Sequence, residues 1–320
     1  MESKRGDFVE RSCPYCHGRS FEKLFDLKAI DFCPLNWTYS KEYSSLLELS
    51  DELFFPVVRC LSCGFIYALL LPSDEFLHIL YNEVIDVSLA EQGATTKFDY
   101  ARRLRYCSQL LQLCPQSGQT RVLDFGAGYG LSSVVLGVAG CEVLSFDPSH
   151  TRVEKMLGRG VQVVDSLSEL QKSAPFDVII CDNVLEHVPD IHQTSQLFSE
   201  CLTHDGLLYI SVPSYEKNVV RRLLKDFSLH QLSDMTLNPW EHLNYFDLCH
   251  LDTLLADYGF QPLRRCELSA PVDIGLRAEV NVYSRYKNGL ASMIRLLKYS
   301  VMGTVNESVN DRIYRFGGRS

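Results

Sequence analysis

Downstream of Thr120, short apolar runs alternate with segments that repeat apolar residues at helical spacing. Arg121–Phe125, Glu142–Asp147, Val161–Val164, Asp177–Cys181 and Leu207–Val212 read as strands. Leu131–Ala139, Thr151–Arg159, Ser166–Gln171 and Ile191–Leu202 read as the helices between them. Asp177–Cys181 is apolar almost throughout, as suits a strand covered on both faces. The alternation predicts an α/β fold with helices on both faces of a doubly wound, mostly parallel sheet.

The flanks follow other patterns. Phe54–Val58 and Phe65–Leu69 read as strands, with a polar, weakly helical stretch from Tyr39 to Leu53 before them. A helix from Asp74 to Tyr81 follows a Ser73 cap, and a longer one spans about Lys97–Leu113 with Arg102, Arg103 and Arg105 as its solvated face. Tyr81 reads either as core or as a ring closing over a ligand. Ser214–Pro239 interrupts the alternation with a helix at Asn218–Asp226 and a polar run carrying His230, placed where an insertion would cover the mouth of a site. Leu248–Tyr258 is helical; Gln261–Ala270 and Arg277–Ser284 then read as an antiparallel pair at the sheet edge. Asn288–Ser300 forms a basic amphipathic helix suited to packing or to homodimerisation, and the tail ending RFGGRS reads as loosely ordered.

Composition narrows the classes. A chain of 320 residues with 46% hydrophobic and 22% charged residues is ordinary for a soluble globular protein. Its net charge of −9 argues against nucleic acid or anionic membrane as partner. No apolar run nears the roughly 20 residues needed to span a bilayer, and MESKRGDFVERSC holds no apolar signal core, so the expected compartment is the cytoplasm. Of twelve cysteines, Cys107, Cys114, Cys141, Cys181 and Cys201 sit singly in apolar runs, as reduced, buried thiols do.

The first core strand ends in Asp124 and enters a turn with Gly126, Ala127, Gly128 and Gly130 before the next helix. Alternating glycines at a strand-to-helix turn let backbone pass close to a ligand, and the helix turns its unpaired N–H groups toward it. The following strand ends in Asp147, where such folds place the acid that binds ribose hydroxyls. A dinucleotide fingerprint needs glycine at position 131, which is Leu131. The G-x-G-x-G turn with its preceding acid resembles the first motif of the class I S-adenosylmethionine-dependent methyltransferases, over about Thr120 to Pro213. That resemblance implies a Rossmann-like fold with Asp147 on the ribose, Asp165 and Ser166 flanking adenine, and Asp182 and Asn183 beneath the methionine portion.

Two further motifs refine the resemblance. Cys13-Pro14-Tyr15-Cys16 and Cys60-Leu61-Ser62-Cys63-Gly64 are C-x-x-C knuckles 43 residues apart. Two such pairs supply four thiolates for a tetrahedral structural zinc, with redox or unrelated surface thiols as the other readings; Cys33 and His17 are substitute ligands. The run Glu241-His242-Leu243-Asn244-Tyr245-Phe246, taken with the knuckles, resembles the sugar C-methyltransferase branch. There a Glu-His pair is assigned to proton removal, which makes His242 the candidate base and Glu241 its orienting partner. The tyrosine expected a few residues earlier is replaced by Asn238-Pro239-Trp240. LEHVPD, Leu185–Asp190, resembles a stretch of small-molecule methyltransferases, including quinone enzymes, so His187 is a second candidate base; alternatively Glu186 and His187 anchor the loop.

The expected organisation is a zinc-binding module over 1–72, a helical linker over 73–116, a Rossmann-like domain over 117–285 with a lid insertion at about 214–245, and a C-terminal helix and tail over 286–320. The expected activity is methyl transfer from S-adenosylmethionine to a small polar metabolite, a nucleotide-linked sugar being favoured. The rival substrates are quinones, lipids or natural-product scaffolds. A rival of another class is a zinc-bearing interaction module with a vestigial core.

Overall fold

The computed structural model describes residues 8–28, 54–114, 118–213, 237, 240–263 and 309–318. The N-terminal part is antiparallel. β1 (Phe8–Glu10) pairs with β5 (Leu70–Pro72), while β2 (Phe21–Lys28), β3 (Phe54–Cys60) and β4 (Ile66–Ala68) form a second sheet. Helix α1 (Asp74–Ile79) begins where Ser73 Oγ accepts the Phe76 N–H at 3.1 Å, as the cap predicts. A π-helical turn (Leu80–Val84) carrying Tyr81 leads to α2 (Val87–Ala94) and α3 (Lys97–Leu113), which Thr96 caps.

The core then alternates as the pattern requires: β6 (Arg121–Phe125), α4 (Leu131–Val138), β7 (Glu142–Phe146), α5 (His150–Gly158), β8 (Gln162–Val163), α6 (Leu167–Ser173), β9 (Phe176–Asp182), α7 (Ile191–Cys201) and β10 (Leu202–Pro213). The five strands are parallel in the order β10-β9-β6-β7-β8. Leu123, Ile179, Ile180, Cys181, Leu208 and Ile210 are wholly buried, because helices cover both faces. Burying each of these leucines and isoleucines contributes about 1.5–3 kcal/mol.

At the edge one reading of the sequence is corrected, that of the tail; of the expected pair Gln261–Ala270 and Arg277–Ser284 only residues 261–263 are described. β11 (Asn244–Tyr245) and α8 (Leu248–Ala256) precede β12 (Phe260–Pro262), whose partner is β13 (Val309–Phe316) from the tail. β13 is antiparallel to both β12 and β10 and completes a seven-stranded mixed sheet among the described residues. The tail is therefore an inner strand, with Ile313, Tyr314 and Phe316 buried, where the sequence suggested loose ends. The expected strand Arg277–Ser284, the helices at Asn218–Asp226 and Asn288–Ser300, His230 and Cys33 lie outside the described residues.

The N-terminal part shares one apolar cluster with the core: Cys13, Val58, Cys60, Phe65 and Tyr67 pack with Phe246, Leu251 and the sheet residues. β11 adds to β4, so the antiparallel sheet runs β11-β4-β3-β2 and receives a strand from beyond the parallel core. Arg11 ties these parts together. Its Nε donates to the Ala68 carbonyl at 3.0 Å, and its Nη2 donates to the Leu243 carbonyl at 2.5 Å and to Asn244 Oδ1 at 3.2 Å. At the end of the interrupting segment, Trp240 is fully buried between Phe55 and Phe76, with ring centroids at 5.0 and 5.6 Å.

Candidate functional site

The glycine turn sits between β6 and α4, beside the point where strand order reverses from β6 to β9. Ligands of open α/β sheets bind there, outside the carboxyl ends of the strands. Gly126 has φ +70°, and a Cβ on it would lie 2.3 Å from Val184 Cγ2, so glycine is required by both conformation and space. Gly128 has φ +59° but open space at its Cβ position. Gly126 and Ala127 donate their N–H groups to the Phe146 carbonyl at 2.8 and 3.0 Å, which holds the turn against β7.

Asp124 faces inward. It is 3% exposed, accepts the Ser133 hydroxyl at 2.5 Å, and burial pushes its carboxyl up to about 6. Its bond to Ser133 ties the end of β6 to α4. Asp147 at the end of β7 accepts the N–H groups of Gly128 (2.8 Å) and Ser149 (3.0 Å). Burial raises its carboxyl, and Arg152, at 3.8 Å, opposes that rise. Asp147, Asp165 and Ser166 line one cavity of about 260 Å³, walled by Phe146, Pro148 and Leu167. The residues expected at ribose and adenine thus share one recess, which His150 and Val153 also line.

Arg152 was not foreseen. Its guanidinium lies over the rings of Tyr81 (5.4 Å) and Tyr129 (5.9 Å), which places Tyr81 at the site. Nothing in the sequence marked it beyond being a basic residue on the helix that follows Asp147. Arg102 is a correction: it is not on a solvated face. Both of its terminal nitrogens donate to the Asp182 carboxylate, at 2.7 and 2.6 Å, and each side chain is 10% exposed. Asp182 is therefore occupied by a cation from α3 at the end of β9. Asn183 follows with φ +55° and its N–H on the Ser211 carbonyl at 2.8 Å.

The two candidate bases, far apart in sequence, meet. His187 and His242 have ring centroids 4.8 Å apart in an edge-to-face arrangement. His187 Nδ1 faces the Glu241 carbonyl at 2.9 Å, so that nitrogen carries the proton and Nε2 is left as acceptor. Nε2 lies 3.6 Å from Glu186 Oε1. Burial and the neighbouring His242 push the His187 imidazole well below its ordinary value, and burial pushes the Glu186 carboxyl well above its own. The Glu186 carbonyl accepts the N–H groups of Leu243 (2.8 Å) and Asn244 (3.0 Å), and Asn244 Nδ2 donates to the carbonyls of Leu185 (3.1 Å) and Val188 (2.8 Å). Asn244, which the sequence reading left unassigned, is the latch that joins the LEHVPD turn to the EHLNYF run.

The four knuckle cysteines converge. Cys13 and Cys63 sulfurs are 3.7 Å apart, Cys16 and Cys60 sulfurs 3.5 Å, and all four lie within 4.8 Å of one another. A tetrahedral zinc with Zn–S bonds of about 2.3 Å requires sulfurs about 3.8 Å apart, so the donor set fits that ion. The N–H groups of Tyr15 and Cys16 point at the Cys13 sulfur, and those of Ser62 and Cys63 at Cys60. Gly64 takes φ +82° after the second knuckle, and His17 takes φ +60° after the first, where it turns the chain. The knuckles also brace the core: His250 Nε2 meets the Cys63 carbonyl at 3.1 Å, and His192 Nε2 meets that of Tyr15 at 2.8 Å.

A sheet ordered β12-β13-β10-β9-β6-β7-β8, with a glycine turn at the reversal and an acid after β7, has the class I S-adenosylmethionine-dependent methyltransferase fold. The chain belongs to the family described as Methyltransferase domain, which matches residues 98–264, more than half of its length. It is 36% identical over 118 residues to the ubiquinone biosynthesis O-methyltransferase of Xylella fastidiosa (strain 9a5c), a match covering 34% of this chain and 46% of that protein. The protein of that name from Xanthomonas euvesicatoria pv. vesicatoria (strain 85-10) is 36% identical over 118 residues, covering 34% and 48%. The chain thus spans about half the length of the curated relatives it matches. Among solved structures, it is similar to an S-adenosylmethionine-dependent methyltransferase from Archaeoglobus fulgidus (18% identity, TM-score 0.43, 76% of this chain and 100% of that one). The plantazolicin methyltransferase BpumL, solved with S-adenosylhomocysteine, is similar at 9% identity and TM-score 0.48, covering 77% and 94%. Among the described residues no helix is long and apolar enough to cross a membrane.

Proposed function

We propose that this chain transfers the methyl group of S-adenosylmethionine to a small polar metabolite, with a nucleotide-linked sugar as the favoured acceptor. The observation that carries the reading is the meeting of His187 and His242, 4.8 Å apart, on the turn that leaves β9, next to the glycine turn of β6. Asp147 would take the ribose hydroxyls by exchanging its present N–H partners, Asp165 and Ser166 would flank adenine, and the turn Gly126–Gly130 would bring its own backbone close to the ligand. Asp182 and Asn183 would lie under the methionine portion, Arg102 holding Asp182 in place. The acceptor atom attacks the sulfonium methyl in line, so the protein's work is alignment of two reactants. His242, steered by Glu241, would accept the acceptor's proton as a neutral imidazole, and His187 would support it. Zinc in Cys13, Cys16, Cys60 and Cys63 would brace the fold.

The sugar is favoured by the resemblance that joins the cysteine knuckles to the EHLNYF run. A second reading, O-methylation of a quinone-type phenol, draws on the partial identity to the ubiquinone biosynthesis O-methyltransferases. Calorimetric titration with S-adenosylmethionine tests the core of the proposal. Micromolar binding that Asp147→Ala removes is expected, and folded protein that binds none overturns it. Formation of S-adenosylhomocysteine with nucleotide sugars, against formation with catechols, then separates the two acceptors.

A further inference from the structure

Glu186 is in an unusual position for an acid. Its side chain is 2% exposed, and among the described residues neither carboxylate oxygen has a hydrogen-bond partner. A buried charge without partners is costly by several kcal/mol, and burial of this kind is tolerated where a proton or a cation neutralises it. Two imidazoles stand beside it. One ligand atom from each of Glu186, His187 and His242 falls within a mutual span of 4.8 Å.

We propose that Glu186, His187 and His242 form a second metal site, for a divalent first-row transition ion, distinct from the cysteine cluster, whose three protein ligands leave a coordination position for an oxygen-bearing acceptor. Donors on an ion at about 2.0–2.2 Å stand about 3.0–3.6 Å from one another. Glu186 Oε1 and His187 Nε2 are already 3.6 Å apart. The His187 tautomer suits the role. Its Nδ1 donates to the Glu241 carbonyl at 2.9 Å, the outer contact that ligating histidines make, and its Nε2 lone pair faces the carboxylate. The two ligand-bearing segments are also locked together before any ion arrives. Leu243 and Asn244 hold the Glu186 carbonyl, and Arg11 holds Leu243 and Asn244. A facial set of two imidazoles and one carboxylate favours Mn²⁺, Fe²⁺, Co²⁺ or Zn²⁺, whereas four thiolates favour zinc.

The ion site stands apart from the methyltransferase reading; only its use rests on that reading. With the ion bound, His242 is a ligand, and the ion takes over its part in proton removal by lowering the pKa of a coordinated acceptor hydroxyl. That hydroxyl loses its proton to water. The oxygen then forms the new O–CH3 bond as the S–CH3 bond breaks, its electron pair remaining on sulfur as the thioether.

Manganese binding tests the site without any acceptor. Protein carrying one equivalent of zinc, which the four thiolates take first, is titrated with Mn²⁺, and free Mn²⁺ is read by electron paramagnetic resonance. About one Mn²⁺ per chain is expected, weakened at least tenfold in Glu186→Gln and in His242→Ala, while circular dichroism and cysteine-bound zinc stay unchanged. Should Glu186→Gln fail to fold, the partly buried His242→Ala gives the same reading. Wild-type protein that takes up no Mn²⁺, or variants that bind it as tightly as wild type, overturn the proposal. Either result leaves the calorimetric test of S-adenosylmethionine binding to be judged by itself.

Discussion

Arg102 on α3 and Asp182 at the end of β9 form a two-bonded guanidinium–carboxylate pair, 2.7 and 2.6 Å, with each side chain 10% exposed. The pair fastens the linker helix to the strand that leads into the LEHVPD turn. Removing one partner of a buried pair strands the other charge, at about 3–5 kcal/mol. Arg102→Ala is therefore expected to lose about 3 kcal/mol in urea unfolding. Arg102→Lys is expected to fall between the two, since an ammonium cannot make both bonds. Equal stability of Arg102→Ala and wild type would show the pair to be incidental.

The glycine turn contains its own control. At Gly126 a methyl group meets Val184 Cγ2 at 2.3 Å, whereas at Gly128 it meets open space, and both residues have positive φ. Gly126→Ala is expected to destabilise the fold by about 3 kcal/mol and to abolish S-adenosylmethionine binding. Gly128→Ala is expected to cost only the left-handed conformation, about 1–2 kcal/mol. Thermal unfolding of both variants checks the order.

Asp124 sets a pH dependence. Burial raises its pKa from 3.8 to about 6, so the native state holds a proton that the unfolded chain releases between those values. Its ionisation therefore opposes folding as pH rises from about 4 to about 6, by up to about 3 kcal/mol, and the loss is complete above about 6. Asp124→Asn should remove this component. Urea unfolding at pH 4.5 and 7.5 is expected to show wild type losing more stability with rising pH than the variant; parallel losses would place the titration elsewhere.

Cysteine ligation should be felt in the core, because Tyr15 and Cys63 lend their carbonyls to His192 on α7 and His250 on α8. Cys60→Ser is expected to lose about one equivalent of zinc and to lower Tm by about 5 °C or more, as a loss of several kcal/mol does in a chain of this size. Elemental analysis alongside scanning fluorimetry tests this. Full zinc content in Cys60→Ser would exclude the four-thiolate site.

Local pattern alone determined the parallel core, the Ser73 cap, the glycine turn, the placing of Asp147, Asp165 and Ser166 at strand ends, and the cysteine pairs. In each case the signal lies within a few consecutive residues: a period of two or 3.6, a residue that tolerates positive φ, or a thiol spacing. Only tertiary structure decided what long-range contacts decide. A tail rich in Arg and Asn became an inner strand because β10 and β12 present open edges to it. Arg102 left the solvated face because Asp182, 80 residues away, arrives beside α3. Glu186 and His187 met His242 because Asn244 and Arg11 latch two distant turns together. A charge carries no record in its own sequence neighbourhood of which opposite charge will reach it. Folding the chain supplies that partner, and with it the candidate chemistry.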